Sequence, residues 1–508
     1  MSLLSPAISS IARMRLWRIE AWKNNPVDAQ REVLQDIVTS AQYTEIGRKY
    51  RFSKLFSIKE FKEAVPIHEY DDLKPYIERT MRGEQNLLWN SPVSWFAKSS
   101  GTSSDKSKFI PLSDESLQDC HYKGAKDVLT MYYQYNADSN LLTGKGLILG
   151  GSHSINPMNE EAQFGDLSAV LLQNSPFWAH WLRTPDLNIA LMDEWESKIE
   201  RLAETTIKEN VTSISAVPTW TIVLFKRILE ITGKQNMGEV WPNLELYMHG
   251  GVSFTPYREQ FKKLIGKDIN YLEMYNASEG FFAAQENPGD DGMLLFTDHG
   301  IFMEFMPVSE YGNDNPQTVG LNEVEVGKNY ALVISTNGGL WRYMLGDTVQ
   351  FTSVRPYRII VSGRLKHYIN AFGEEVIVDN TDKAIAEACH QTGLAVNDYT
   401  AAPVYFSDNS NGAHEWIIEF ENIPEDLTAF NNSLDTALKN INSDYEAKRH
   451  KGIALSQPVI HAVPKGTFNE WLKRKGKLGG QHKVPRLSND RKYVETLLEL
   501  CKELNITV

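Results

Sequence analysis

SISAVPTWTIVLFKRILEITGKQNMGEVWPNLELYMHGG, residues 213–251, decides the fold class. A short strand-like run, SISAV, stops at Pro218. An amphipathic helix then reaches about Ile231, and a second strand-like run, LELYMH, ends on Gly250 and Gly251. The same alternation extends upstream through LILGG near Leu147 and a helix from about Glu194 to Glu209, so the chain reads as α/β. Residues 14–63 form a helical stretch with Leu16, Ile19 and Trp22 at helical spacing, the pattern of a packing layer.

From Met293 to Val361 the pattern changes to successive β-rich runs, LLFTDHGIFMEFMPV, YALVIST, VQFTSV and YRIIVSGR, punctuated by Gly and Asn. They predict a β-subdomain closing the larger domain. Beyond Gly363 the pattern is α+β: a helix near Asp379 to Gln391, strands PVYF and EWIIEF, a helix from Asp426 to about Ala447, and a last one near Asn489 to Leu504. The expected division is a large domain over 1–364 and a smaller C-terminal one over 365–508.

With 508 residues, 42% of them hydrophobic, the chain can bury more than one core without disulfide staples. A formal charge of −13, with both signs interspersed, argues against a nucleic-acid-binding surface and favours small-molecule substrates. Cys120, Cys389 and Cys501 never form a CxxC pair, so neither a disulfide framework nor a zinc knuckle is readable. Arg13, Arg15 and Arg18 stand where a secretory apolar core would lie, and no apolar run reaches the ~18 residues of a membrane span. The expected location is the cytoplasm, with no membrane and no obligatory protein partner.

Three short elements carry chemistry. The loop SSGTSSDKSK, Ser99 to Lys108, sits between the strand-like runs Trp95–Lys98 and Phe109–Leu112, and its hydroxyls, Gly101 and lysines suit phosphate. It is not a Walker loop, because G-K-[ST] is missing and a strand follows it. YNASEG, Tyr275 to Gly280, follows the strand-like INYLEM and offers one carboxylate, a ligand type that Mg²⁺ takes alongside phosphate oxygens. GLWRYMLGDTVQF places Asp347 after Gly346 between strands, where a carboxylate can accept from both ribose hydroxyls or simply cap its own turn. HExxH, GxSxG and a GxGxxG opening a βαβ unit are all absent. His153, His249 and His367 read as structural, although His249 abuts the Gly250–Gly251 turn.

In this order the elements resemble the adenylate-forming superfamily of firefly luciferase and acyl-CoA synthetases, and more closely the Gretchen Hagen 3 family of acyl acid amido synthetases. SSGTS at Ser99 to Ser103, YxxSE at Tyr275 to Glu279, and GLWRYMLGD beside that family's GLYRYRVGD carry the likeness. GRLKHYINAFGEE at Gly363 to Glu375 resembles the interdomain hinge, and QHKVPR at Gln481 to Arg486 a C-terminal lysine signature.

The resemblance implies a large adenylate-forming domain with a smaller mobile C-terminal one that turns near Leu365 and Lys366. It implies ATP and Mg²⁺, a small carboxylic acid, and an amino acid or other amine as acceptor. Ser99, Ser100, Gly101, Thr102 and Ser103 would line the phosphate loop, and Gly250 and Gly251 would approach the adenine. Tyr275 would stack on the base, Ser278 would lie near the phosphate, and Glu279 would bind Mg²⁺. Asp347 would hold the ribose beside Arg364, and Lys483 would bring charge to the α-phosphate. The chain departs from the family loop at Asp105, where a second glycine is usual, and Lys483 competes with Lys465, Lys475 and Lys477.

The acyl pocket has as candidates Val217 and Trp220, with Phe177, Trp178 and Trp181, although aromatics at this spacing are more often core. An acyl-CoA ligase, which shares the first half-reaction, and a non-catalytic nucleotide-binding regulator are the alternatives.

Overall fold

The computed structural model describes residues 5–99, 108–149, 156–157, 162–192, 195–251, 254, 257–365, 368–369, 374, 376–404, 412–442, 445–446, 449, 455–476 and 484–506. The chain divides into two compact units. The first includes Lys106–Gly251 and Asp268–Val361; the second contains Ser362–Val508 together with Val252–Lys267, which lies in the connection between two strands of the first.

The first unit is built on a sheet of 11 strands among the described residues. In spatial order they are Ile301–Pro307, Asn329–Thr336, Tyr343–Val354, Tyr357–Arg364, Met293–Leu295, Gly280–Ala284, Asn270–Ala277, Leu246–Gly250, Val211–Ser215, Lys145–Ile148 and Arg183–Thr184. The five strands from Asn270–Ala277 to Arg183–Thr184 pair in parallel, as the alternation of strands and helices requires. The β-rich run after Met293 continues this same sheet in antiparallel fashion, joined through the pairing of Gly280–Ala284 with Met293–Leu295.

Helices Pro26–Ala41, Ile58–Ala64 and Tyr70–Met81 bury Val33, Leu34, Ile37, Phe61, Leu73 and Ile77 in the core shared with this antiparallel half. The expected packing layer thus breaks into several short helices. A second sheet orders Lys108–Leu112, Trp95–Ser99, Gln163–Gly165 and Asn156–Pro157. Trp95–Ser99 and Lys108–Leu112 form an antiparallel hairpin in which Ser99 pairs with Lys108, so the candidate phosphate loop is closed at its base by its own first and last residues.

In the second unit, strands Val396–Val404, Ala413–Phe420 and Val459–Val463 form a mixed sheet. The nearly continuous apolar run WIIEF is explained by burial on both faces. Trp416, Ile418 and Phe420 face a core with helices Val378–Thr392 and Thr428–Ile441. Ile417 faces another with helices Thr467–Arg474 and Lys492–Glu503. No helix among the described residues is long and apolar enough to cross a membrane.

Ile417 is fully buried in that second core. Ile417→Ala is expected to destabilise the C-terminal unit by about 2–5 kcal/mol, read as a lower denaturant midpoint with the tryptophan fluorescence of the unit as probe.

Candidate functional site

Ligands of open α/β sheets gather outside the carboxyl ends of the parallel strands, and Val217, Gly250, Gly251, Tyr275, Ser278 and Glu279 stand at or just beyond such ends. Strand Leu246–Gly250 closes on the two glycines. A Cβ on Gly250 would lie 2.3 Å from the carbonyl oxygen of Met274 on the next strand, so this position requires glycine for packing alone. Gly251 is exposed and turns the chain with φ +81°.

Strand Asn270–Ala277 ends in a two-residue turn, Ser278–Glu279, and returns as Gly280–Ala284, with Ala277 opposite Gly280. Phe281 pairs with Asn276 but Ala283 with Tyr275, so Phe282 is the extra residue of a bulge. That bulge brings the rings of Tyr275 and Phe282 to a centroid distance of 4.8 Å. Ser278 and Glu279 are half-exposed at the tip.

Asp347 is delivered by a second bulge. Ala331 pairs with Thr348 and Val333 with Met344, so Leu345, Gly346 and Asp347 stand opposite the single residue Leu332. Gly346 takes the φ of +88° that the detour needs. The Asp347 carboxylate is buried and accepts a hydrogen bond from the Tyr275 hydroxyl at 2.8 Å. Two residues assigned separate parts of a nucleotide from sequence are therefore bonded to each other. The Tyr275 ring leans on Phe282 and is itself 7% exposed, so its principal contacts are within the protein.

Arg342, in the same motif, was not singled out from sequence. Its backbone has φ +40° and its guanidinium is buried. It donates to both oxygens of buried Glu304 at 2.9 Å, to the carbonyls of Val65 at 2.6 Å and Lys62 at 3.0 Å, and to Thr318 Oγ1 at 3.3 Å. His68 then bridges Tyr343 as a single parallel residue: its N–H donates to the Arg342 carbonyl and its carbonyl accepts from Met344, both at 2.9 Å. Burial holds the His68 imidazole below its ordinary pKa, and the network assigns its neutral tautomer. Nδ1–H donates to the Trp341 carbonyl at 2.6 Å, and Nε2 accepts from the Tyr50 hydroxyl at 3.1 Å.

The turn after Tyr275 rests on a π-helical stretch, Ser116–His121. Cys120 Sγ accepts from the Phe281 N–H at 3.2 Å, and burial pushes its thiol up to about 12, which makes it inert as a nucleophile. His121 Nδ1 lies 3.2 Å from Asn276 Oδ1, and burial pulls the imidazole down to about 4. It is neutral near pH 7 and, as the Nδ1–H tautomer, donates to Asn276. No spacing in the sequence joins residues 121 and 276; the only signal was that Asn276 lies inside YNASEG.

Val217 caps and Trp220 lies in the first turn of helix Pro218–Thr232, at the carboxyl end of Val211–Ser215, and both are half-buried. The Ala216 N–H donates to Met248 at 3.2 Å, which sets this turn beside the strand that ends at Gly250. Phe177 and Trp181 pack edge to face at 5.3 Å and are largely exposed, so they line no buried cavity.

In the second unit Arg364 is exposed at the end of Tyr357–Arg364. Lys465 pairs with Glu421 at 3.1 Å, and Lys475 lies 4.2 Å from the Trp471 ring centroid. Just beyond position 483 the chain is firmly held. The Thr400 hydroxyl donates to the Pro485 carbonyl at 2.7 Å and the Ala401 N–H to that of Arg486 at 2.8 Å. The Arg486 guanidinium lies 4.4 Å over the Tyr399 ring, pairs with Asp398 and donates to the Tyr257 hydroxyl at 2.8 Å. Ser100, Gly101, Thr102, Ser103, Asp105, Lys106, Lys366, Lys477 and Lys483 lie outside the described residues, as do His153 and His367, while Ser99 closes the hairpin base through its backbone.

The sequence matches the GH3 family N-terminal domain over residues 15–269, its central domain over 294–364 and its C-terminal domain over 379–492. An indole-3-acetic acid-amido synthetase of Arabidopsis thaliana is 24% identical, covering 97% of this chain and 94% of that protein. A jasmonoyl-L-amino acid synthetase of Oryza sativa subsp. japonica is 24% identical over 91% of this chain and 92% of its own. Among solved structures, an acyl acid amido synthetase in complex with 2,4-DB superposes with a TM-score of 0.78 at 18% identity, covering 96% of each chain. A 2-hydroxyisobutyryl-CoA ligase carrying its acyl-adenylate superposes at 0.60 and 13% identity over 95% of this chain and 92% of that one. These structural likenesses establish the fold.

Two outcomes follow from the packing around the site. Glu304→Gln leaves the Arg342 charge buried without its partner and is expected to destabilise the first unit by about 3–5 kcal/mol in denaturant titrations. The apolar double variant Glu304→Leu/Arg342→Met should lose less than that. His121 titrates lower folded than unfolded, so the unfolded chain binds the extra proton between pH 6.5 and 4 and stability falls as pH is lowered through that window. Full expression of the shift is worth about 3 kcal/mol, and His121→Gln should flatten that part of the stability–pH curve.

Proposed function

The chain belongs to the GH3 family, and from that premise we propose that it activates a carboxylic acid with ATP as an acyl-adenylate and transfers the acyl group to the amine of an amino acid. The observation that carries this reading is the Tyr275–Asp347 hydrogen bond of 2.8 Å. It joins two of the three motifs at the carboxyl edge of the sheet, where a nucleotide belongs.

In the first half-reaction a carboxylate oxygen of the acid bonds to the α-phosphorus while the bond to the β-phosphate bridging oxygen breaks, releasing pyrophosphate. In the second, the amine nitrogen bonds to the acyl carbon, AMP leaves with the former carboxylate oxygen, and the amine loses a proton. Both steps join groups presented by substrates, so the protein's part is positioning and charge complementarity. Asp347, fixed by Tyr275, accepts from the ribose, with Arg364 as its neighbour in this reading. Gly250 and Gly251 bring backbone to the adenine, and Tyr275 forms the wall beneath the base by way of its buried ring. Ser99, Ser100, Gly101, Thr102 and Ser103 hold the phosphates, with Ser278 near the α-phosphate. Lys483, on the segment pinned at Pro485 and Arg486, supplies positive charge to the oxygens of the pentacovalent transition state. Val217 and Trp220 line the acyl pocket, and the functional division stays at 364/365.

Glu279 is the group suited to Mg²⁺. It is a half-exposed carboxylate on a turn, and among the described residues no group of three or more His, Cys, Asp or Glu forms a protein-only cage. That donor set fits a cation carried largely by phosphate oxygens. When bound, Mg²⁺ supplies charge neutralisation on the triphosphate.

The test is acid-dependent exchange of labelled pyrophosphate into ATP across aryl, indole and aliphatic acids, followed by AMP release with amino acids or coenzyme A as acceptor. Exchange should depend on an acid, and amino acids should stimulate AMP release. Asp347→Ala is expected to weaken ATP use by about 10- to 100-fold, the loss of hydrogen bonds to a charged acceptor. Stimulation by the thiol alone would replace the amide reading with thioester formation, and ATP binding without exchange for any acid would overturn catalysis.

A further inference from the structure

Asn276 is an exposed residue inside YNASEG, and its side chain has one hydrogen-bond partner among the described residues, the His121 imidazole at 3.2 Å. That imidazole is itself 2% exposed, and the same contact is its one side-chain hydrogen bond. Burying a ring nitrogen costs hydration, and here a single bond offsets the cost by holding a side chain that is exposed to water in any case. With the His121 Nδ1–H donating to Oδ1, the two Nδ2–H donors of Asn276 stay unused among the described residues. The helix that carries the ring also places it. Ser116–His121 is π-helical, and its widened turn brings two consecutive residues to one hairpin: Cys120 accepts from the Phe281 N–H, and His121 meets Asn276, the residue paired with Phe281. At the next residues of this helix a Cβ on Gly124 would lie 2.5 Å from the Phe281 ring, so helix and hairpin are seated closely. Neighbouring side chains leave a strand on opposite faces. Tyr275 leaves toward Asp347, and Asn276 leaves toward the helix.

We propose that Asn276 contacts the substrate, its amide donating to the carboxylate of the acid being activated, and that His121 is the positioning residue that holds those donors toward it. This rests on the adenylating function proposed above. A nucleotide held through Asp347 occupies the Tyr275 face of the strand, which leaves the Asn276 donors to the other reactant. One carboxylate oxygen accepts from Nδ2 while the other bonds to the α-phosphorus and pyrophosphate leaves. The first oxygen then becomes the carbonyl oxygen of the acyl-adenylate. It keeps its donor as the amine attacks, when negative charge gathers on it before AMP departs. An unanchored amide presents either end, since Oδ1 and Nδ2 are nearly alike in shape; a neutral Nδ1–H bonds only to the oxygen and so fixes which end meets the acid.

The experiment uses the full chain and four variants: Asn276→Leu, Asn276→Asp, His121→Leu and the double Asn276→Leu/His121→Leu. Pyrophosphate exchange is measured with whichever acid the unaltered chain uses fastest, giving kcat/KM for the acid, and is paired with calorimetric titration of ATP and Mg²⁺ and with thermal unfolding. Asn276→Leu should lower kcat/KM for the acid by about 10- to 100-fold, the loss of a hydrogen bond to a charged group, with ATP affinity unchanged. Asn276→Asp keeps the shape and the bond to His121 but sets one carboxylate against another, so acid use should fall further. His121→Leu should lower the same parameter less, again with ATP affinity unchanged, and the double variant should be no worse than Asn276→Leu, as for two parts of one contact. Unchanged acid kinetics in Asn276→Leu, an aspartate no worse than the leucine, losses that multiply in the double variant, or a matching fall in ATP affinity would overturn the role. Failure of the unaltered chain to support exchange with any acid would instead overturn the function on which the role rests.

Discussion

The Arg342 guanidinium is the contact on which the arrangement of the first unit hangs. A buried charge is tolerated only when it is paired and its donors are used, and Arg342 achieves this by drawing together groups far apart in sequence. Glu304 belongs to strand Ile301–Pro307, Thr318 to the segment that pairs with it, and Lys62 and Val65 to the helical layer. The left-handed backbone at Arg342 costs energy that an ordinary residue would not tolerate, and the ion pair over-determines it. One consequence is the direction in which the chain leaves: Tyr343 enters the sheet, His68 is stitched beside it, and the bulge that carries Asp347 begins two residues later.

Two candidate side chains of this unit, Tyr275 and Asp347, are therefore aimed by local irregularities in an otherwise regular sheet. The Phe282 bulge turns Tyr275, the Leu345–Asp347 bulge turns Asp347, and the two irregularities meet in one hydrogen bond. Regular strands alternate their side chains between two faces, and on that rule alone the two residues would have no reason to converge. The bulge also accounts for Gly346, which adopts a conformation denied to most residues, whereas Gly250 is needed because the neighbouring strand leaves no room for a Cβ.

Much of this was legible in the sequence because it depends on local rules. The alternation from Leu147 to Gly251 reports parallel strands, and the near-continuous apolar run at WIIEF reports a sheet covered on both faces. The three motifs were visible as clusters of Gly, Ser and carboxylate. What was not legible is long-range pairing. Tyr275–Asp347, His121–Asn276 and Lys108–Tyr343 span 72, 155 and 235 positions, and no periodicity encodes them. Arg342 was hidden for another reason: as one arginine in a recognised motif, it drew attention to its neighbour Asp347 while its own burial depended on Glu304. The β-rich run after Met293 was legible as strands but not as an extension of the parallel sheet, since strand composition does not say which edge a strand will join.

The chemistry of the site follows from what the protein withholds as much as from what it presents. Cys120 accepts from the Phe281 N–H on the returning strand, yet burial holds it as a thiol; His121 contacts Asn276, yet burial holds it neutral. Neither is poised to form a covalent intermediate or to carry charge. A reaction in which a carboxylate attacks a phosphate joins two anions, so a further nucleophile would add nothing, while misplacement of either anion would cost most of the rate. The investment in the first unit is accordingly in rigid geometry: two bulges locked by one hydrogen bond.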